Sequence, residues 1–523
     1  MNVSELQAVV SSALHHLTDE QYSLLDQLRQ TYGDDAALLR SKLVGLSTLC
    51  DLFQQLYGDG PVTLLRAPAR INILGEHVDY VSYLPTASLP FGSREHDMVM
   101  LFRASDQGRV RGASTRAAYA QFDFKLSEGP SISERAWTED DWLAYLYGRP
   151  APAPHWGNYV KGAAFFARQK YGKQASRGFD FVIDSSIPPN SGASSSSALV
   201  VLAGAAIRQA NHIEEEPDEL ARDSAQAEWY VGTRGGMLDH IAICLARRQR
   251  VVHLSYGEEM VELVPMPTDR VRWVTFFSHP ADKGRAVMLE YNERAAVSRV
   301  LIPAIVADLS RNRPDFAHAW DTAIQSFRAG SLGAFDELEP LLDELPSTVT
   351  LGEVEHRYPE AFRECQAAFP TLVQERREHP LKLRDRALHH LGEAQRVAVA
   401  VQSLRGSFRD GLPDKAELVH LTMRVQGGLL NWSHESLRDL YEVSTPEVDR
   451  LVAVINSDPH VYGARLMGGG FGGNVLALIA TERAPRLIAR VQSEYYDPQG
   501  RDGLQEGSVM VSTPGEGLST IEL

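Results

Sequence analysis

One segment limits what this chain can fold into more than any other. Phe179 to Ile187 is strand-like, and Pro188-Pro189 stops it. Asn190-Ser191-Gly192-Ala193-Ser194-Ser195-Ser196-Ser197 then leads into a helical stretch, to Ala210, that is apolar nearly all round. A helix without a polar face has to be buried, so the rest of the chain must enclose it. Its near-apolar core, Ala198 to Ile207, is the longest such run and is far too short to span a bilayer. A Gly/Ser loop opening a helix aims backbone N–H groups and the positive dipole end at one spot, which suits a phosphate. Serine hydroxyls there can add donors or ligate magnesium. They can equally just cap the helix.

At 523 residues the chain exceeds one compact core, and two domains plus insertions are expected. Residues 1–58 read as helical, with Leu24, Leu25 and Leu28 and then Leu39, Leu43 and Leu46 at helical spacing. They carry no chemical motif and look like a packing or oligomerisation extension. Val62–Leu65 reads as a strand, with a second short apolar run at Ile71–Leu74, and the pattern restarts with a strand at Trp273–Phe277. The first main domain is therefore set at 59–270 and the second at 271–523, the latter with a helical, motif-free insertion at about 308–384. Strands and helices mix without regular alternation, so the class is α+β.

The formal net charge of -16 argues against non-specific nucleic-acid binding, which needs cationic surface. It does not bar ATP, because local backbone donors and a metal can outweigh the global field. Three scattered cysteines fit reduced thiols, and no basic start leads into an apolar segment, so a cytoplasmic, non-membrane protein is expected.

Three further clusters carry chemistry. Gly468-Gly469-Gly470-Phe471-Gly472-Gly473 formally matches GxGxxG, yet a strand-like run, Asn474–Ala480, follows where a Rossmann loop needs a helix. So many glycines mean backbone approaching something closely. Arg70 to Tyr80 holds Glu76, His77, Asp79 and Tyr80 within five residues, either a solvated turn or a set able to engage several sugar hydroxyls. Glu228 precedes Gly232-Thr233-Arg234-Gly235-Gly236-Met237-Leu238-Asp239, which puts a carboxylate after a glycine turn. Walker A, HExxH, GxSxG and the His-Arg-Asp and Asp-Phe-Gly segments of protein kinases are absent.

Together these clusters resemble the GHMP kinases, and the galactokinases among them. Arg66–Tyr80 looks like the galactokinase signature, Pro188–Ser197 is similar to the phosphate-binding second motif, and Leu466–Val475 resembles the glycine-rich third. Trp156–Gly162, Tyr291–Arg294 and Ser433–Ser444 also look like galactokinase segments, all in family order. The resemblance implies a two-domain GHMP kinase fold, a ribosomal protein S5 domain 2-like N-terminal domain plus an α+β C-terminal domain, with the active site in the cleft between them. It implies ATP-dependent phosphorylation of the anomeric hydroxyl of a free monosaccharide, galactose or a close relative, with Mg2+.

By the same resemblance, Asp239 is the base and Arg70 its partner. Glu76, His77, Asp79, Tyr291, Gly236 and Gly470 border the sugar. Asn190, Ser191, Gly192, Ala193, Ser194, Ser195 and Ser196 cradle the ATP phosphates, Trp156 and Tyr159 lie on the adenine side, and Ser195 and Glu228 hold magnesium.

The match departs from the family at several points. Asn190, Ala193 and Ser197 replace glycine, leucine and alanine in the second motif, Ala69 replaces glycine, and His240 stands where glutamine is usual. After Tyr80 the family's Asn-x-Gly-x-Val-Leu-Pro shrinks to Val81-Ser82-Tyr83-Leu84-Pro85, two residues fewer and without glycine. A weakly catalytic sugar- and ATP-binding regulator, or a GHMP kinase for another sugar, stay open, as do monomer and homo-oligomer.

Overall fold

The computed structural model describes residues 1–15, 23–132, 137–150, 152–188, 192–214, 216–232, 235–257, 260–267, 269–281, 284–407, 416–500 and 507–521. Two sheets organise it. The first runs in the order Ser519–Ile521, Thr63–Asn72, Pro90–Ser105, Gly178–Ser185, Arg109–Ser114, Phe122–Lys125. Its pairs are antiparallel except Arg109–Ser114 with Gly178–Ser185. The second runs Val461–Met467, Asn474–Ala480, Val271–Phe277, Val509–Ser512.

Strand periodicity joins the two halves. Alternate residues of a strand face opposite sides. Trp273, Leu476, Leu478 and Met510 therefore join the core under the first sheet. Val274, Phe276, Val475, Ala477 and Ile479 face the other way, onto helices that include Pro446–Asn456. The last strand then returns to the edge of the first sheet, so the C-terminal tail crosses the expected boundary at 270/271.

The apolar helix forms over Ser195–Ala210, buried from Ser197 to Arg208 in the largest core cluster. Residues 62–74 hold one strand, Thr63–Asn72, instead of two short runs. Pro68 fits because the register shifts between Pro68 and Arg70, so the ladder breaks where proline has no N–H to give.

The N-terminal helices Val3–His15, Ser23–Tyr32 and Ala36–Tyr57 pack on the first sheet's outer face, against Leu64, Leu101 and Val182. Between 302 and 376 the chain forms helices Ile302–Asn312, Pro314–Arg328, Ala334–Leu342, Leu351–Arg357, Pro359–Ala368 and Pro370–Arg376. They enclose a separate apolar cluster that also takes in Val81 and Leu84. Among the described residues no helix is long and apolar enough to cross a membrane.

Candidate active site

The bulge in Thr63–Asn72 delivers Arg70 to the start of two helices. Its backbone N–H donates to Ala193 O at 3.2 Å, and its side chain donates to Gly192 O at 3.1 Å and to Asp239 Oδ1 at 2.6 Å. Asp239 lies in the first turn of the helix Leu238–Leu245, where the dipole favours a negative charge. Ser194 occupies left-handed backbone at φ 59° and donates its hydroxyl to Asp239 Oδ2 at 2.6 Å, so it does not cap its own helix. Burial opposes ionisation of Asp239, but Arg70, the Ser194 hydroxyl and His240 outweigh it and hold the carboxyl below its usual range. The side chain keeps 28% exposure, so it is charged, fixed and reachable.

Two cavities meet at this pair. One, of about 760 Å³, is lined by Glu76, His77, Asp79, Gly236 and Tyr291. The other, of about 740 Å³, is lined by Trp156, Tyr159, Gly192, Ser194 and Ser195. Arg70, Ser196, Asp239, Gly468 and Gly469 line both. A group reacting across the junction would pass Asp239 and Arg70.

On the first side, Glu76 is spoken for. Its Oε1 accepts from the Arg465 guanidinium at 3.0 Å and from the Gly468 N–H at 2.8 Å. Burial resists its charge, yet Arg465, Arg70 and that N–H leave the carboxyl below its usual range. His77 sits at φ 59° with Nδ1 3.2 Å from the Tyr80 hydroxyl, and burial pulls its pKa down to about 4, so it is neutral near pH 7. Burial, and then the Asp239 charge, push Asp79 up to about 6. Gly236 lets the backbone approach Asp79 closely: a Cβ there would stand 2.2 Å from Asp79 Oδ2, and the carboxylate would have to shift. Gly470 does not line either cavity. A Cβ at that residue, whose φ is 83°, would come 2.5 Å from Val443 O, so its close approach is to a neighbouring loop.

On the second side, the Trp156 indole donates to Ala120 O at 2.8 Å and packs edge-on to Phe122. Ala193 is buried and engages Arg70 through its carbonyl. Asn190 and Ser191 lie outside the described residues. Ser195 lines only this cavity, whereas Glu228 lines only the other, and Ser196 belongs to both. Glu228 accepts from the Ser197 hydroxyl at 2.9 Å, with His240 Nε2 also 2.8 Å from its Oε2. The Glu228 carboxylate and Ser196 hydroxyl are hard oxygen donors on one cavity, with Ser196 in the first turn of its helix. Such oxygen donors fit a magnesium–phosphate group, and Ser196, unlike Ser195, lines the same cavity as Glu228.

Some groups around the cavities escaped sequence reasoning. Ser114, Arg116 and Tyr119 line the second cavity, and Met288, Asn292 and Arg299 the first. Arg465 and Glu393 brace the Gly75–Glu76 turn: Glu393 Oε2 accepts from the Gly75 N–H at 2.7 Å. A lone arginine inside the apolar strand Val461–Met467 was a usable signal for Arg465, because a buried charge needs a partner. Nothing local marks Arg116 or Arg299.

Comparison with known proteins supports the resemblance to the GHMP kinases and the galactokinases among them. The model of the GHMP kinases N terminal domain matches residues 158–247, and that of the GHMP kinases C terminal matches 416–497. The galactokinase galactose-binding signature matches residues 51–87. The chain is 27% identical over 481 residues to a galactokinase of Chloroflexus aurantiacus, covering 91% of this chain and 98% of that one. It is 28% identical over 454 residues to a galactokinase of Bos taurus, covering 85% and 90%. A crystal structure of Lactococcus lactis galactokinase complexed with galactose is similar over 90% of this chain and 98% of that chain, at TM-score 0.63 and 25% identity.

Proposed function

The chain belongs to the GHMP kinases, on their galactokinase side, and from that premise we propose that it transfers the terminal phosphoryl group of ATP to the C1 hydroxyl of a free hexose, galactose or a close relative. The products are the sugar 1-phosphate and ADP. The observation that carries this reading is the junction: an ionised, anchored Asp239 and its Arg70 line both cavities at once.

Each group has a task there. The sugar lies in the cleft of Glu76, His77, Asp79 and Tyr291, with C1 toward Asp239. Asp239 accepts the C1 hydroxyl proton as the oxygen attacks phosphorus. Arg70 keeps Asp239 ionised and in place, and its positive charge steadies the phosphoryl oxygens. Asp79 and Tyr291 orient hydroxyls, and the Ser194–Ser196 helix start faces the phosphates. Glu228 and Ser196 would hold magnesium, which would supply charge neutralisation at the phosphates. The enzyme then works as an aligning frame, since phosphoryl transfer chiefly needs position and charge.

The test is ADP release from ATP with a panel of free hexoses and Mg2+, with phosphorus NMR on the product. An anomeric phosphate supports the proposal. A phosphate at another carbon, or no turnover of any sugar, rejects it.

A further inference from the structure

Beside the sugar-side cleft lies a third cavity, of about 410 Å³, which the proposed reaction does not use. It shares Asp79 and Tyr80 with the cleft and is walled by the whole of Val81–Pro85. Its size falls within the range of small-molecule pockets.

Two departures from the galactokinase pattern meet here. One is the segment after Tyr80, two residues short and without glycine. The other is the inserted helical stretch, whose helix Pro314–Arg328 supplies Ile324 and Arg328 to the wall. The two are packed together: Val81 and Leu84 are buried in one apolar cluster with Phe316, Trp320 and Ala323. Tyr83 is tied down by its hydroxyl, 2.7 Å from His390 Nδ1. The wall is therefore a built part of the core, and its shape follows from both departures.

Two arginines line it. Arg222, on the helix Pro217–Glu228, and Arg328 line the cavity, and Arg299 stands 5.7 Å from the Tyr80 ring on the cleft side. Asp79 is the one acidic group lining it among the described residues. In a chain of net charge -16, two guanidinium groups gather on one small cavity. Ser82, Ser255 and Tyr256 add neutral donors and acceptors. Guanidinium forks match carboxylate and phosphate oxygens in pairs.

We propose that this cavity is a substrate subsite for an anionic substituent, a carboxylate or a phosphate, carried by the sugar at the end held by Asp79. The proposal rests on the sugar-kinase reading, and it makes the preferred substrate an acidic relative of galactose.

The experiment compares galacturonate, its neutral amide, galactose 6-phosphate and galactose. Each is followed by ADP release and, separately, by calorimetric binding without nucleotide. Wild type is set beside Arg328→Gln and Arg222→Gln/Arg328→Gln. Wild type is expected to prefer an acidic sugar to the neutral ones by at least about tenfold, as a charge-assisted pair implies. The double variant should cut that preference to about twofold while galactose turnover stays within about threefold. Arg328→Gln, at the exposed end of its helix, should lose part of the preference without disturbing folding.

Galacturonate ahead of the phosphate names the carboxylate as the ligand, and the reverse order names the phosphate. Equal binding of acidic and neutral sugars overturns the proposal, as does a preference that survives in the double variant. If no sugar is turned over but an arginine-dependent preference appears in calorimetry, the kinase reading falls and the subsite stands.

Discussion

Asp239 and Asp79 border the same cleft, yet the fold treats them oppositely. Asp239 opens a helix and accepts hydrogen bonds from Arg70 and Ser194, and its carboxyl is held below the usual range. Asp79 sits on the turn after Thr63–Asn72 with the Gly236 backbone pressed against it, and burial and the Asp239 charge raise it to about 6. One carboxylate is kept charged at a cost shared by its partners. The other stays close to its protonation point, so a bound hydroxyl can complete its environment. In the proposed mechanism the difference separates proton acceptance from substrate binding, so each role should be open to perturbation without the other.

Asp239→Asn should break the comparison most severely. Turnover is expected to fall by roughly 10²–10⁴-fold with sugar affinity little changed, measured by steady-state ADP release and by calorimetry. A loss under threefold would remove Asp239 from the base role. Arg70→Gln should cost roughly 10²–10³-fold in kcat and move the acid limb of the kcat profile to higher pH, because Asp239 loses its main stabilising charge. An unmoved limb would mean that Arg70 does not set the Asp239 ionisation.

Asp79→Asn should act on the other side of the comparison. The sugar KM is expected to rise by roughly 5- to 150-fold while kcat is largely kept. The same change should raise the Tm near neutral pH. A carboxyl raised above its unfolded value of about 3.9 binds more protons folded than unfolded, so its contribution to stability declines as pH rises from there through about 6. The asparagine removes that loss, and an unchanged or lower Tm counts against it. For Asp239 the sign reverses: a depressed carboxyl stabilises above its unfolded pKa and loses that contribution as pH falls through the folded one.

Wild-type pH profiles should separate the two groups by a smaller margin. Sugar KM is expected to climb by about tenfold from pH 7 to pH 5 as Asp79 protonates, while kcat holds until lower pH. Coincident profiles would erase the distinction. The mildest effect is expected of Glu228→Gln, which should raise the Mg2+ needed for half-maximal rate by roughly three- to tenfold and leave sugar binding without nucleotide unchanged. Magnesium titration of the rate decides it.

Much of the site was legible because its residues come in short runs. Arg70, Glu76, His77 and Asp79 lie within ten residues, and Gly236 and Asp239 within four, so local order nearly sets their relative positions. The serine run was legible as a loop but not in detail. Ser194 turns to Asp239, Ser197 turns to Glu228, and Ser196 lines both cavities, because a left-handed residue at 194 reorients the start of the helix. Gly470 looked like a site glycine and serves Val443 instead, since any close backbone approach favours glycine whatever lies opposite.

The sequence by itself determined the α+β class, the burial of the helix after the serine run and the resemblance to the GHMP kinases, because periodicity and contiguous motifs are local properties. Only the tertiary structure decided which charges meet. Arg465 reaches Glu76 across 389 positions and Arg70 reaches Asp239 across 169. The Val81–Pro85 segment meets the helix Pro314–Arg328, more than two hundred residues later, to wall a cavity. Such pairings follow from how sheets and helices stack in space, which spacing along the chain does not encode.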